Sequence, residues 1–137
     1  MPHWLLNSEP TDYSAADLRR DKSTVWSGVK NAAAVKNIRA MAKGDEVLIY
    51  HTGNEKACVA IAEVTKSPRD DPKDAKSAVV DVKFKSMLAR PVTLAQIKAD
   101  KVFESYDLIR IGRLSVVPTP DKMWKRLMFL SSQDRAK

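Results

Sequence analysis

The chain has a single cysteine, Cys58, four glycines and two histidines among 137 residues, and each scarcity removes a class of function. One cysteine makes neither an intrachain disulfide nor a cysteine zinc cluster, which suits a reducing compartment. Four glycines leave no phosphate loop and no dinucleotide fingerprint, since both need closely spaced glycines to bring backbone against phosphate. His3 and His51 stand far apart and outside any spaced ligand motif, so neither a metal nor a cofactor is expected. Ser8 and Ser115 lack the Gly-x-Ser-x-Gly setting of an activated nucleophile, and no base is identified for either. Long hydrophobic runs are also missing. The start, Met1-Pro2-His3-Trp4-Leu5-Leu6, lacks a basic region followed by an apolar stretch, so the expectation is no signal peptide and no membrane span. The expected location is the cytoplasm, with the nucleus as the alternative in a eukaryotic cell.

What is present describes a folded domain. Hydrophobic residues make up 44% and charged residues 30%, a balance that supports one core, and the length fits one domain over residues 1–137. A monomer is expected. The net charge of +7 is unevenly distributed. Residues 19–43 hold seven Lys/Arg against one acid, residues 110–137 hold seven against two, and the remainder is net acidic. If folding unites the two basic segments, they form a face that attracts phosphates by counterion release; otherwise the charge serves solubility alone.

Hydrophobic patterning predicts an α+β fold. His3 to Asn7 reads as a first strand, and Ser14-Ala15-Ala16-Asp17 has the spacing of a capping box for a brief helix. Asn31 to Met41 reads as a second helix, with Gly44 as its stop signal. Glu46 to His51 and Lys56 to Thr65 form a hairpin about Thr52-Gly53-Asn54. Ser67 to Lys76 reads as a polar loop, and Val80, Val82 and Phe84 alternate with polar residues in a half-buried strand. Thr93 to Gln96 repeats the capping-box spacing, Leu114 to Val117 reads as a last strand, and Thr119 caps a closing helix with Pro120 at its first position.

The most informative segment is Thr24-Val25-Trp26-Ser27-Gly28-Val29-Lys30-Asn31, where a tryptophan occupies a polar stretch just before a basic helix. A loop tryptophan either offers its ring face to a nucleic-acid base, a contact of about 1–3 kcal/mol, or plugs the core. Trp4 and Trp124, in apolar surroundings, read as core. Asn31 either reads a base edge with its amide or caps the helix that follows.

Trp4-Leu5-Leu6-Asn7-Ser8-Glu9-Pro10 with Tyr13-Ser14, then Trp26-Ser27-Gly28-Val29-Lys30-Asn31, Met41 with Lys43-Gly44-Asp45, Tyr50-His51-Thr52, Asp71-Pro72 and Arg113-Leu114-Ser115-Val116 follow one another in a set order. In that order and spacing the chain resembles the EVE-domain family over most of residues 3–128. The family belongs to the PUA-like superfamily and is similar in architecture to YTH domains, and Val25-Trp26-Ser27 looks like the segment in which YTH domains carry a cage tryptophan. The resemblance implies a PUA-like pseudo-barrel, a small curved, mostly antiparallel sheet flanked by short helices. It also implies a non-catalytic module that holds a flipped-out, methylated or hydroxymethylated base in an aromatic pocket, with modified DNA ahead of RNA as partner. By the same implication Trp26 is the base platform. Ser8, Ser27, Asn31, Tyr50 and His51 line or border the pocket, while Arg113 and Ser115 meet the base edge or a phosphate. Lys30, Lys36 and Arg39 contact phosphates. Tyr50 also reads as a half-buried strand end, and Arg113 as a solvated charge.

The chain departs from the family at several of these positions. The family commonly has Lys at Asn7, Asp at Ser27, Arg at Lys30, and Tyr and Arg at Ala32 and Val35. A tryptophan often found before the Val79–Phe84 strand is missing, which implies a more open pocket. Two other function classes compete: a small enzyme acting on a nucleotide or modified nucleobase, and a basic protein-interaction adaptor that needs no pocket.

Overall fold

Two strands with apolar middles, Trp4-Leu5-Leu6 and Val47-Leu48-Ile49, lie side by side in the core. In the computed structural model, which describes residues 3–27, 29, 31–110 and 114–132, β1 (His3–Ser8) runs parallel to β3 (Glu46–His51) and antiparallel to β6 (Val116–Thr119). Leu5, Leu6, Val47 and Leu48 are fully enclosed. Burial on both faces of a strand removes the need for alternation, and each such side chain contributes roughly 1.5–3 kcal/mol of transfer free energy.

The remaining strands extend this pair into a six-stranded sheet of order β2-β5-β4-β3-β1-β6, with β2 at Ser23–Trp26, β4 at Ala57–Asp71 and β5 at Asp74–Thr93. Apart from the β1–β3 pair every neighbouring pair is antiparallel. The β3–β4 ladder slips register at Ile49/Tyr50, and the β4–β5 ladder slips at five points between Cys58 and Asp71. Bulges of this kind bend strands and increase their twist, so the sheet curls. Its two edges, β2 and β6, are not hydrogen-bonded to each other among the described residues.

A helix bridges that seam. Helix α2 (Ala32–Ala40) packs on both β5 and β6. Asn37 Nδ2 donates to the Val116 carbonyl at 2.8 Å, and Arg39 donates to Asp70 at 2.7 Å and to the Ser77 carbonyl at 3.1 Å. The result is the expected α+β architecture, a curved, mostly antiparallel sheet with short helices against it. The other helices are α1 (Ala15–Asp21), α3 (Leu94–Ala99), α4 (Asp107–Arg110) and α5 (Asp121–Ser132), with a 3-10 turn at Lys101–Phe103.

Local signals account for the helix starts. Both capping boxes form: Ser14 with Asp17 at α1 and Thr93 with Gln96 at α3, each side chain satisfying an otherwise unpaired backbone donor. Asp45 closes the turn before β3 by accepting from the Ala42 backbone at 2.9 Å and from the buried Trp4 indole at 3.0 Å.

Four expectations need correction. Residues 67–76 are not a loop but the far arms of the β4–β5 hairpin, which turns only at Pro72 and Lys73. Their polar, exposed sequence carries no alternation because neither face is buried there. Trp26 belongs to a strand, not a loop: β2 pairs with β5 at Trp26↔Val80. The last strand begins at Val116, with Leu114 ahead of it. Thr119 is the end of β6 and its hydroxyl meets Tyr106 at 2.7 Å, so it does not cap α5, which begins at Asp121.

Candidate nucleic-acid interface

The curl of the sheet brings the end of β1 to the end of β2, and a cavity of about 340 Å³ opens between them. Strand β1 and its continuation supply Asn7, Ser8 and Glu9; β2 supplies Thr24, Val25 and Trp26, followed by Ser27; Tyr13 completes the lining. The volume lies at the small end of the roughly 300–1,000 Å³ typical of ligand pockets. Trp26 is half-buried, with one part against the core and the rest facing this space.

Trp26 and Tyr13 make a corner. Their ring planes are 82° apart with centroids 6.2 Å apart, an edge-to-face pair. A planar group stacked on either ring therefore meets the other one edge-on. Tyr13 is pinned by its hydroxyl, which donates to Asp21 at 2.9 Å. Burial, reinforced by that hydrogen bond, raises the Tyr13 hydroxyl above its ordinary range, so it stays protonated. Asp21 is in turn lowered by the hydrogen bond from Arg20.

The other sequence-derived candidates divide into three groups. Ser8 and Ser27 share the Trp26 cavity, although the Ser8 hydroxyl already donates to the Tyr13 carbonyl and holds the turn that carries Tyr13. Tyr50 is buried on a neighbouring cavity of about 240 Å³, which Asn7 also borders. Burial, with the Cys58 thiol next in importance, pushes the Tyr50 hydroxyl up to about 12. Cys58 is itself pushed up to about 12 by burial, which makes it an inert core thiol. His51 is buried behind the cavities. Its Nε2 accepts from the Ala15 backbone at 2.9 Å, so Nδ1 carries the proton and donates to Glu55 at 2.8 Å.

Asn31 caps α2: its Oδ1 accepts from the Ala34 backbone at 3.1 Å. Ser115 is half-buried, and its carbonyl accepts from the Asn7 backbone at 2.9 Å, locking the β1 end beside the last strand. Neither residue is among the described lining of the Trp26 cavity. Lys36 is exposed on α2, and Arg39 is engaged by Asp70 and Ser77. Lys30 and Arg113 lie outside the described residues.

Several contributors escaped sequence reasoning, among them Tyr13, which stood in the family motif without an assigned role. Glu9 faces the Trp26 cavity, and Lys56 with Lys98 borders the adjacent one. No local pattern marks them, since each arrives through long-range contacts. Asn7, noted only as a departure, borders both cavities; its Nδ2 donates to the Leu114 carbonyl at 3.3 Å.

Among the described residues, the serine and histidine expected at the site are each committed to structural hydrogen bonds. His51 is held at both nitrogens, and the Ser8 hydroxyl is given to a backbone carbonyl, so the two do not form a nucleophile and its base. Among the described residues no group of His, Cys, Asp and Glu could hold a metal, and no helix is long and apolar enough to cross a membrane.

Known proteins share this architecture. Human thymocyte nuclear protein 1 is 30% identical over 125 residues, covering 71% of this chain, which spans 56% of the human protein. A Rhodopseudomonas palustris protein solved by NMR is 31% identical with a TM-score of 0.91, covering 100% of this chain and 99% of that one. Human THYN1, solved in complex with DNA containing 5-methylcytosine, has a TM-score of 0.89 at 24% identity, covering 98% of this chain and 99% of that one. The family model described as EVE domain matches residues 2–130, and the chain belongs to that family.

Proposed function

We propose that this protein is a non-catalytic nucleic-acid-binding module that takes a modified base, flipped out of its strand, into the cavity beside Trp26. The observation that carries the reading is a half-buried tryptophan, set square to a pinned tyrosine, at a cavity roomy enough to admit a base in an EVE-family chain. A flipped base loses its stacking neighbours. An indole face restores about 1–3 kcal/mol of that loss, and a methyl substituent adds apolar contact.

Around the base, Ser8 and Ser27 supply polar edges, Asn31 and Ser115 hold the start of α2 and the end of β1 that frame the pocket, and Tyr50 and His51 support it from β3. Arg113, Lys30, Lys36 and Arg39 take the flanking phosphates, with Arg39 exchanging Asp70 for a phosphate oxygen. DNA is the preferred polymer and 5-methylcytosine the first ligand to try, because the human THYN1 structure holds DNA containing that base. The nucleus follows as a proposed location in a eukaryotic cell, from the name of the thymocyte nuclear relatives.

The test is a fluorescence-anisotropy titration with a panel of otherwise identical DNA and RNA oligonucleotides, each carrying one modified base. The reading expects at least one modified DNA oligonucleotide to bind more tightly than its unmodified counterpart. Equal affinity across the whole panel would leave only a charge-driven adaptor.

A further inference from the structure

We propose that Glu9 reads the exocyclic amine of the bound base, so that the pocket accepts amine-bearing cytosine and turns away its keto counterpart. The proposal rests on the base-pocket reading above and adds the group that sets base identity.

Glu9 is an unusual residue to find at a pocket for a polyanion. It follows β1 directly, shares the cavity with Trp26, and among the described residues makes no ion pair. Of the other acids near this turn, Asp17 and Asp21 hold Arg20 and Glu55 holds His51, while Asp12, like Glu9, makes no ion pair among the described residues but is not among the cavity's lining residues. A bare carboxylate repels phosphate and offers acceptors only. It therefore earns a place in the pocket if the ligand presents a donor.

The carboxylate is also held in position. The Glu9 carbonyl accepts from the Asp12 and Tyr13 backbones, both at 2.9 Å, which fixes the residue in the turn that carries Tyr13. The side chain rests against Gly53, where a Cβ would stand 3.1 and 3.2 Å from its two oxygens. Gly53 has φ +74, so the turn needs glycine for its backbone and leaves room for the carboxylate. Thr11 and Thr52 hydroxyls approach the two oxygens at 3.4 Å. These long contacts orient the group while leaving most of its acceptor capacity for a ligand.

Among pyrimidines the matching donor is the N4 amine of cytosine, which carboxylates accept from in base readout. Thymine sets its O4 carbonyl at the same place, and two acceptors then face each other. 5-Methylcytosine and thymine carry the same methyl group and differ only along that edge, so they isolate the contact.

The test compares DNA oligonucleotides carrying 5-methylcytosine or thymine at one unpaired position, bound to wild-type protein, Glu9→Gln and Trp26→Ala. Wild type is expected to prefer 5-methylcytosine by about five- to hundredfold. Glu9→Gln, whose amide donates as well as accepts, should collapse that preference while the protein melts as wild type does. Retention of the full preference by Glu9→Gln, with Trp26→Ala abolishing binding selectivity, overturns the proposal and leaves the base-pocket reading standing. Binding indifferent to Trp26→Ala, or a wild type with no preference between the two bases, overturns it as well, the former by removing the pocket itself.

Discussion

Trp26 and Tyr13 lie at right angles, 82° between ring planes, and the hydrogen bond from Tyr13 to Asp21 fixes the corner they form. One ring lies at the sheet edge and the other in the turn after β1, so the corner exists only because the sheet curls. Trp26→Ala is expected to weaken binding of the preferred modified oligonucleotide by about 1–3 kcal/mol. Calorimetric titration measures this, after a thermal melt shows the variant folded. A fully buried aromatic deleted from a core costs about 3–5 kcal/mol of stability, and half-buried Trp26 should cost less. Affinity unchanged in a folded Trp26→Ala protein would remove Trp26 from the site.

The charge of the molecule predicts a different signature. Lys36 is exposed on α2 and, among the described residues, makes no ion pair, so Lys36→Ala should weaken modified and unmodified oligonucleotides about equally. The slope of log affinity against log salt should fall by about one. Wild-type affinity that stays flat from low to moderate salt would exclude a phosphate role for this face.

The Arg126–Asp100 pair sets a pH dependence of stability. Arg126 donates to Asp100 at 2.6 Å, tying α5 to the 3-10 turn that Asp100 also caps through the Val102 backbone at 3.1 Å. The Arg126 hydrogen bond, then the backbone one, lowers the Asp100 carboxyl below its ordinary value. A lowered folded-state value stabilises above the unfolded one, and that contribution is lost as pH falls through the folded value. Arg126→Gln should therefore cost at most about 1 kcal/mol at neutral pH, with the gap to wild type narrowing below about pH 4. Urea melts at neutral and acid pH measure it, and a pH-independent gap would contradict the assignment.

The sequence made the centre of the fold legible and its edges obscure. The apolar runs of β1 and β3, the two capping boxes and the α2 cap are local signals, and each appears where its pattern predicts. Strand β2 carries only four residues and gains its ladder from β5, more than fifty positions away, so nothing local distinguishes it from a loop. The β4–β5 arms are solvated on both sides and carry no period. At the site, Trp26 stood out by composition and by family resemblance. Glu9 did not, because its approach to Thr52 and Gly53 is made by the parallel pairing of β1 with β3, a relation no short window contains.

The most direct measurement of the central claim is a two-dimensional NMR titration that follows the three tryptophan indole N–H signals while a 5-methylcytosine oligonucleotide is added. Trp4 donates its indole N–H to Asp45 in the core, and Trp124 is buried and stacked on His3 at 4.1 Å, so both signals serve as internal references. The account predicts a saturable shift of the Trp26 signal with the other two nearly still, and a smaller response to the unmodified oligonucleotide. Saturation of binding with the Trp26 signal unmoved would contradict it.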